Sequence, residues 1–195
     1  MEKGRLEAFS DGVIAILITI MVLELHTPEG TDWHALREKL PVLLAYVLSF
    51  IYLGIYWSNH HHMLSVSKRV NGATLWANLH LLFWLSLVPF ITDWMSENHF
   101  PEVPVAVYGI VLLAAAFAYL ILQTMLLRAA GSGSLLATAL GSDLKGKLSP
   151  VIYALGIGLT FVNHWFGIVA YAIVALIWLV PDRRVERAVN QAGPS

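Results

Sequence analysis

His60, His61 and His62 form the densest set of metal-capable side chains in the chain, and His80 follows further on. Neighbours on a helix point about 100° apart, so three in a row cannot converge on one ion. A zinc pair needs i, i+4 spacing on one face, with a third ligand brought from elsewhere. No metal site is therefore expected. Cysteine count is 0, which removes thiolate chemistry and disulfides. No nucleophile motif, phosphate-cradling glycine loop or H-E-x-x-H pattern occurs, so neither an enzyme nor a cofactor is expected. The remaining groups able to do chemistry flank one apolar run. Arg5, Glu7, Ser10 and Asp11 stand at its start and Glu24 at its end.

That run, Gly12 to Leu23, is only 12 residues long, or about 18 Å as a helix. A lipid-facing helix needs roughly 20 apolar residues. Charges at this depth are costly in hydrocarbon and usually face a bundle interior or a water path. The first helix thus reads as an inner helix shielded by the rest of the protein.

The whole chain supports a membrane setting. Of its 195 residues 57% are hydrophobic and 13% charged, and mean hydropathy is +0.67. Soluble domains carry about 25% charged residues. No basic tract suits nucleic acid, so the expected surroundings are lipid. Glu2, Glu7 and Asp11 do not suit the cationic start of a signal peptide, and no A-x-A-like site follows Leu25, so the first helix reads as retained.

The expected architecture is all-α, one domain over 1–195, with six spans near 5–25, 36–62, 73–94, 103–128, 148–163 and 166–181. Asp32 is placed to cap a helix beginning near Trp33 and continuing into the second span. Residues 128–147 read as a linker containing Gly131-Ser132-Gly133-Ser134. From Leu148 to Pro181 no residue is formally charged. Such a run is too long for one span, and it splits best at Asn163-His164-Trp165-Phe166-Gly167. Residues 182–195 are a basic tail.

With six spans and a cytoplasmic start, the inner segments hold Lys3, Arg5, Lys68, Arg69, Arg128, Lys145, Lys147, Arg183, Arg184 and Arg187. Only Arg37 and Lys39 lie outside. This positive-inside bias puts both termini in the cytoplasm. The outer acids Glu24, Glu29, Asp32, Glu38, Asp93, Glu97 and Glu102 would draw cations to an external mouth.

On a helical wheel with Ile16 at zero, Leu23 falls near about −20°, Ile20 about 40°, Thr19 about −60° and Gly12 about −40°. Ser10 falls near about 120° and Asp11 about −140°. The simplest assignment turns Ser10 and Asp11 toward spans of their own chain, leaving the Ile16 face for symmetry mates. Ordinary core packing explains the same spacing.

Arg5-Leu6-Glu7-Ala8-Phe9-Ser10-Asp11 resembles the R-x-x-x-F-S-D signature of the transmembrane protein 175 family, the endolysosomal potassium channels and their prokaryotic relatives. Trp57 with Asn59-His60-His61, and Asn78 with Leu87-Val88-Pro89-Phe90, resemble its second and third spans. The resemblance implies a potassium-permeable channel without a T-V-G-Y-G filter. It implies a homotetramer of single-repeat chains with first helices lining the pore. The family's constriction positions fall on Ile16, Ile20 and Leu23, with Thr19 as the hydroxyl. Arg5, Phe9, Ser10 and Asp11 then form a structural network, with His60, His61 and Asn78 as candidate partners. Arg5 lies near about −20° on the wheel. Either the pore has widened there or Arg5 folds onto a partner such as a neighbour's Asp11. A proton channel or proton-coupled transporter using Asp11 and the histidines is the alternative. The expected location is a prokaryotic cell membrane.

Overall fold

The computed structural model describes residues 3–65, 67, 70–130 and 144–179. Lys68, Arg69, the glycine-serine stretch 131–134 and the basic tail 182–195 lie outside the described residues. Eight helices are described: α1 (Lys3–Leu23), α2 (Trp33–Glu38), α3 (Leu40–Ser65), α4 (Gly72–Ser86), α5 (Val88–Glu97), α6 (Glu102–Ala130), α7 (Leu144–Thr160) and α8 (His164–Leu179). Four runs are long and apolar enough to cross a membrane: Lys3–Leu23, Leu40–Ser65, Gly72–Glu97 and Glu102–Ala130. All regular structure among the described residues is helical, and several of the helices are fit by length and composition to cross a membrane.

Prolines and caps set the element boundaries. Asp32 caps α2, its carboxylate accepting from the Ala35 N–H at 2.9 Å. The continuous second helix expected from Trp33 is interrupted at Lys39. Pro41 has no N–H and its ring crowds the preceding carbonyls, so α2 ends and α3 restarts at Leu40. The third span is likewise two helices, α4 and α5, joined at Leu87. Pro89 in the first turn of α5 removes the hydrogen bond that would have joined them. Asn71 caps α4 by accepting from the Thr74 N–H at 2.9 Å. Residues 144–147, expected as linker, are the first turn of α7. After Thr160 the chain turns, and the Asn163 side chain accepts from the Trp165 N–H at 2.9 Å to start α8.

The core draws on α1 and every helix from α3 to α8, and its aromatic part lies among α3, α6, α7 and α8. Tyr52, Tyr108, Tyr153 and Tyr171 meet there, buried. Buried hydroxyls seek partners in so dry a place, although Tyr171 Oη has none among the described residues. The Tyr52 hydroxyl donates to the Tyr171 carbonyl at 2.5 Å, and Ser49 bonds both Thr92 (2.7 Å) and Tyr108 (3.0 Å). Gly109 and Gly156 let the Tyr171 ring lie directly on α6 and α7, where a Cβ would collide with it. Leu6, Ile14, Leu17 and Met21 of α1 join the same core, and α1 packs on α3, α4 and α5.

Candidate functional site

Helix α1 has two different faces. Leu6, Ser10, Ile14, Leu17 and Met21 recur at spacings of three and four and are buried against the neighbouring helices. The opposite face is left bare by the chain. Ile16 is 56% exposed, Ile20 38% and Leu23 78%, and Arg5, Phe9, Gly12 and Thr19 are exposed with them.

A directed chain of hydrogen bonds fixes the inner face. Asn78 Oδ1 can only accept, so His60 Nε2 carries a proton and donates to it at 2.6 Å. Asn78 Nδ2 donates to Ser10 Oγ at 2.9 Å. Ser10 Oγ donates in turn to the Leu6 carbonyl at 2.8 Å. All three side chains are buried, and one amide thereby ties α1, α3 and α4 at a single level. Among the described residues, His60 Nδ1 has no partner.

Asp11 sits apart from this chain. Its carboxylate accepts from Trp57 Nε1 at 3.0 Å. His61 stacks on the Trp57 ring, with centroids 6.1 Å apart and planes 25° from parallel, and makes no bond to α1. The candidate partners therefore divide: Asn78 bonds Ser10 and His60 bonds Asn78, whereas His61 contacts the Trp57 and His62 rings. Trp57 as the partner of Asp11 was not deduced from the residues. The usable signal was an indole N–H, which has to find an acceptor in an apolar span. Arg5 makes no ion pair among the described residues, and the neighbouring pair is Lys3–Glu7 at 3.5 Å.

Thr19 Oγ1 lies 3.0 Å from the Ala15 carbonyl and 2.9 Å from that of Ile16. Its proton is committed to its own helix, so its oxygen lone pairs point away from the backbone. At the outer end, Glu97 accepts from Lys39 at 3.5 Å and lies 4.0 Å from His26. Part of the outer negative charge is thus neutralised locally. Among the described residues, no group of three or more His, Asp or Glu side chains is placed to hold a metal ion.

Residues 5–89 match the family model described as endosomal/lysosomal potassium channel TMEM175. A potassium channel of Chryseobacterium sp. is 54% identical over 191 residues, covering 98% of this chain and 100% of that protein. A potassium channel of Streptomyces collinus is 36% identical, covering 91% of each chain. Among vertebrate relatives, the endosomal/lysosomal proton channel TMEM175 of Gallus gallus is 33% identical over 144 residues, but only 29% of its length is covered. The crystal structure of a lysosomal potassium-selective channel TMEM175 homolog from Chamaesiphon minutus superposes with a TM-score of 0.80 at 29% identity, over 93% of this chain and 98% of that one. Full-length similarity at this level, with the family model falling on α1, α3 and α4, means that this chain belongs to the TMEM175 family.

Proposed function

We propose that this chain is a potassium-permeable cation channel in which several copies, four in the simplest arrangement, gather their α1 helices around a central axis. Each copy contributes six spans, with α7 and α8 as the short fifth and sixth. Both termini face the cytoplasm, and the assembly resides in the cell membrane. The observation that carries this reading is the bare face of α1. A helix with charged ends and a short apolar middle is anchored on one side by buried hydrogen bonds and left unfilled on the other. Gly12 fits the same picture, since a Cβ there would meet nothing of its own chain.

The mechanism follows from that face. Ile16, Ile20 and Leu23 from the copies form stacked apolar rings that narrow the path and gate it by dewetting. Thr19 supplies a layer of hydroxyl oxygens whose protons are already donated to the helix, leaving lone pairs for a passing cation. No T-V-G-Y-G run occurs, so selectivity rests on ring width, the Thr19 layer and outer carboxylates rather than on a carbonyl cage. Ser10, Asp11, Asn78 and His60 hold α1 in register and stand outside the ion path. Ion-substitution currents from purified protein in planar bilayers test the reading. Reversal potentials that follow the potassium gradient support it, and the absence of cation current from assembled protein sinks it.

The vertebrate relatives are proton channels by name, which favours a second reading, proton conduction. Asp11 and the histidines are the groups that would relay protons. In that case reversal potentials follow the pH gradient and not potassium.

A further inference from the structure

The outward faces of the helices are not alike. On α7 the exposed side chains from Leu148 to Leu159 are aliphatic, and on α8 Phe166, Val169, Ile173 and Leu176 continue that surface. Such faces suit lipid. The outward face of α4 does not. There His80 is exposed between Trp76, Leu79 and Phe83. It lies eight residues from the helix start at Gly72, about 12 Å along the axis. Trp84 Nε1 donates to His80 Nε2 at 2.9 Å, which makes Nε2 the acceptor and leaves the proton on Nδ1. Nothing among the described residues accepts from Nδ1. Hydrocarbon cannot accept either, so this face calls for a polar neighbour.

We propose that the outward face of α4 around His80 is a seam between copies, seated on the outward face of α3 around Trp57 and Ser58 of the next copy. The proposal rests on the ring of copies inferred above. Rotation about an axis along the membrane normal cannot change a residue's depth, so residues facing each other across the seam share one level. The Asn78–His60 bond calibrates that level within the chain. Moving two residues outward from Asn78 on α4 reaches His80, and two residues outward from His60 on the antiparallel α3 reaches Ser58. Among the described residues, Ser58 Oγ has no hydrogen-bond partner. Around it Trp57 and His61 are exposed, so this face also carries polar groups where lipid would not favour them. Helices α3 and α4 both pack on α1 but hardly on each other, so they flank it on different sides. In a closed ring the α3 flank of one copy therefore meets the α4 flank of the next.

The absence of native cysteine makes the test clean. The double variant His80→Cys/Ser58→Cys is treated in mild detergent with a short bis-maleimide and run on a denaturing gel. The expected result is a ladder up to the full ring, with each single variant remaining monomeric. The pair Leu155→Cys/Ile173→Cys, on the lipid-suited faces, should give no ladder. Trp76→Cys/His61→Cys, one turn deeper, serves if the first pair does not assemble. An oligomer that elutes intact but yields no ladder from either seam pair overturns the seam while leaving the ring standing. Equal ladders from seam and lipid-face pairs also overturn it. Wild-type protein that elutes as a monomer instead overturns the ring itself.

Discussion

Replacing Asn78 with leucine, a side chain of similar volume, should loosen α1 more than any change on the bare face of that helix. Asn78 is fully buried and His60 is 1% exposed, so neither loss can be made good by bulk water. The substitution strands the His60 Nε2 proton, 2.6 Å from its present acceptor, on a ring whose other nitrogen already has no partner. It also removes the bond into Ser10 Oγ, although Ser10 keeps its own bond to the Leu6 carbonyl. One orphaned buried donor costs about 1–3 kcal/mol and one lost ordinary hydrogen bond about 1 kcal/mol, together about 2–4 kcal/mol. For a chain of this length, a loss of about 3 kcal/mol lowers the melting midpoint by about 6–12 °C. Tryptophan fluorescence during thermal unfolding in detergent reads the shift. His60→Leu in the same background should recover part of the loss, because an apolar pair leaves no stranded proton. The double-mutant cycle should then show a coupling of about 1–3 kcal/mol. A shift under about 2 °C for Asn78→Leu, or strict additivity of the two changes, would refute the directed chain His60→Asn78→Ser10→Leu6.

Other predictions concern the path and the topology. Ile16→Asn should wet the narrow part of the pore, raising current several-fold and weakening cation discrimination. If Ile16→Asn and Leu23→Ala both leave bilayer currents unchanged in assembled protein, α1 does not line the pore. Thr19→Val keeps the volume but removes the oxygen layer. Reversal potentials should show a reduced potassium preference, with the elution volume of the assembly unchanged. Asp11→Ala removes the half-buried acceptor of Trp57, at a cost of about 1–2 kcal/mol. It should lower yield without altering selectivity, and a well-assembled variant with changed selectivity would place Asp11 in the path. Cysteines introduced at Gly4 and Ser195 should react with an impermeant maleimide only after cells are opened. Labelling of either in intact cells contradicts six spans with cytoplasmic ends.

Much of this protein is legible in its amino-acid order because hydrocarbon is an unforgiving solvent. Long uncharged runs must be helices there, so α3 and α6 are readable from composition alone. The two faces of α1 are readable too, since helical periodicity places Ser10 opposite Ile16 whatever surrounds them. The breaks at Lys39 and Leu87 were less legible. Pro41 and Pro89 are visible in the sequence, but whether a proline kinks a membrane helix or divides it depends on what the neighbouring helices do to the freed carbonyl groups. Only the tertiary structure decided which polar groups meet. Ser10 and Asp11 are adjacent, yet the approach of α4 gives Ser10 to Asn78, and the approach of α3 gives Asp11 to Trp57. His60 and His61 are adjacent as well, and one is sealed against α4 while the other lies on an indole ring. Sequence spacing sets the direction of each side chain about its own helix axis. The partner it finds depends on where the other helices lie, and that is a property of the packed bundle and not of any one helix.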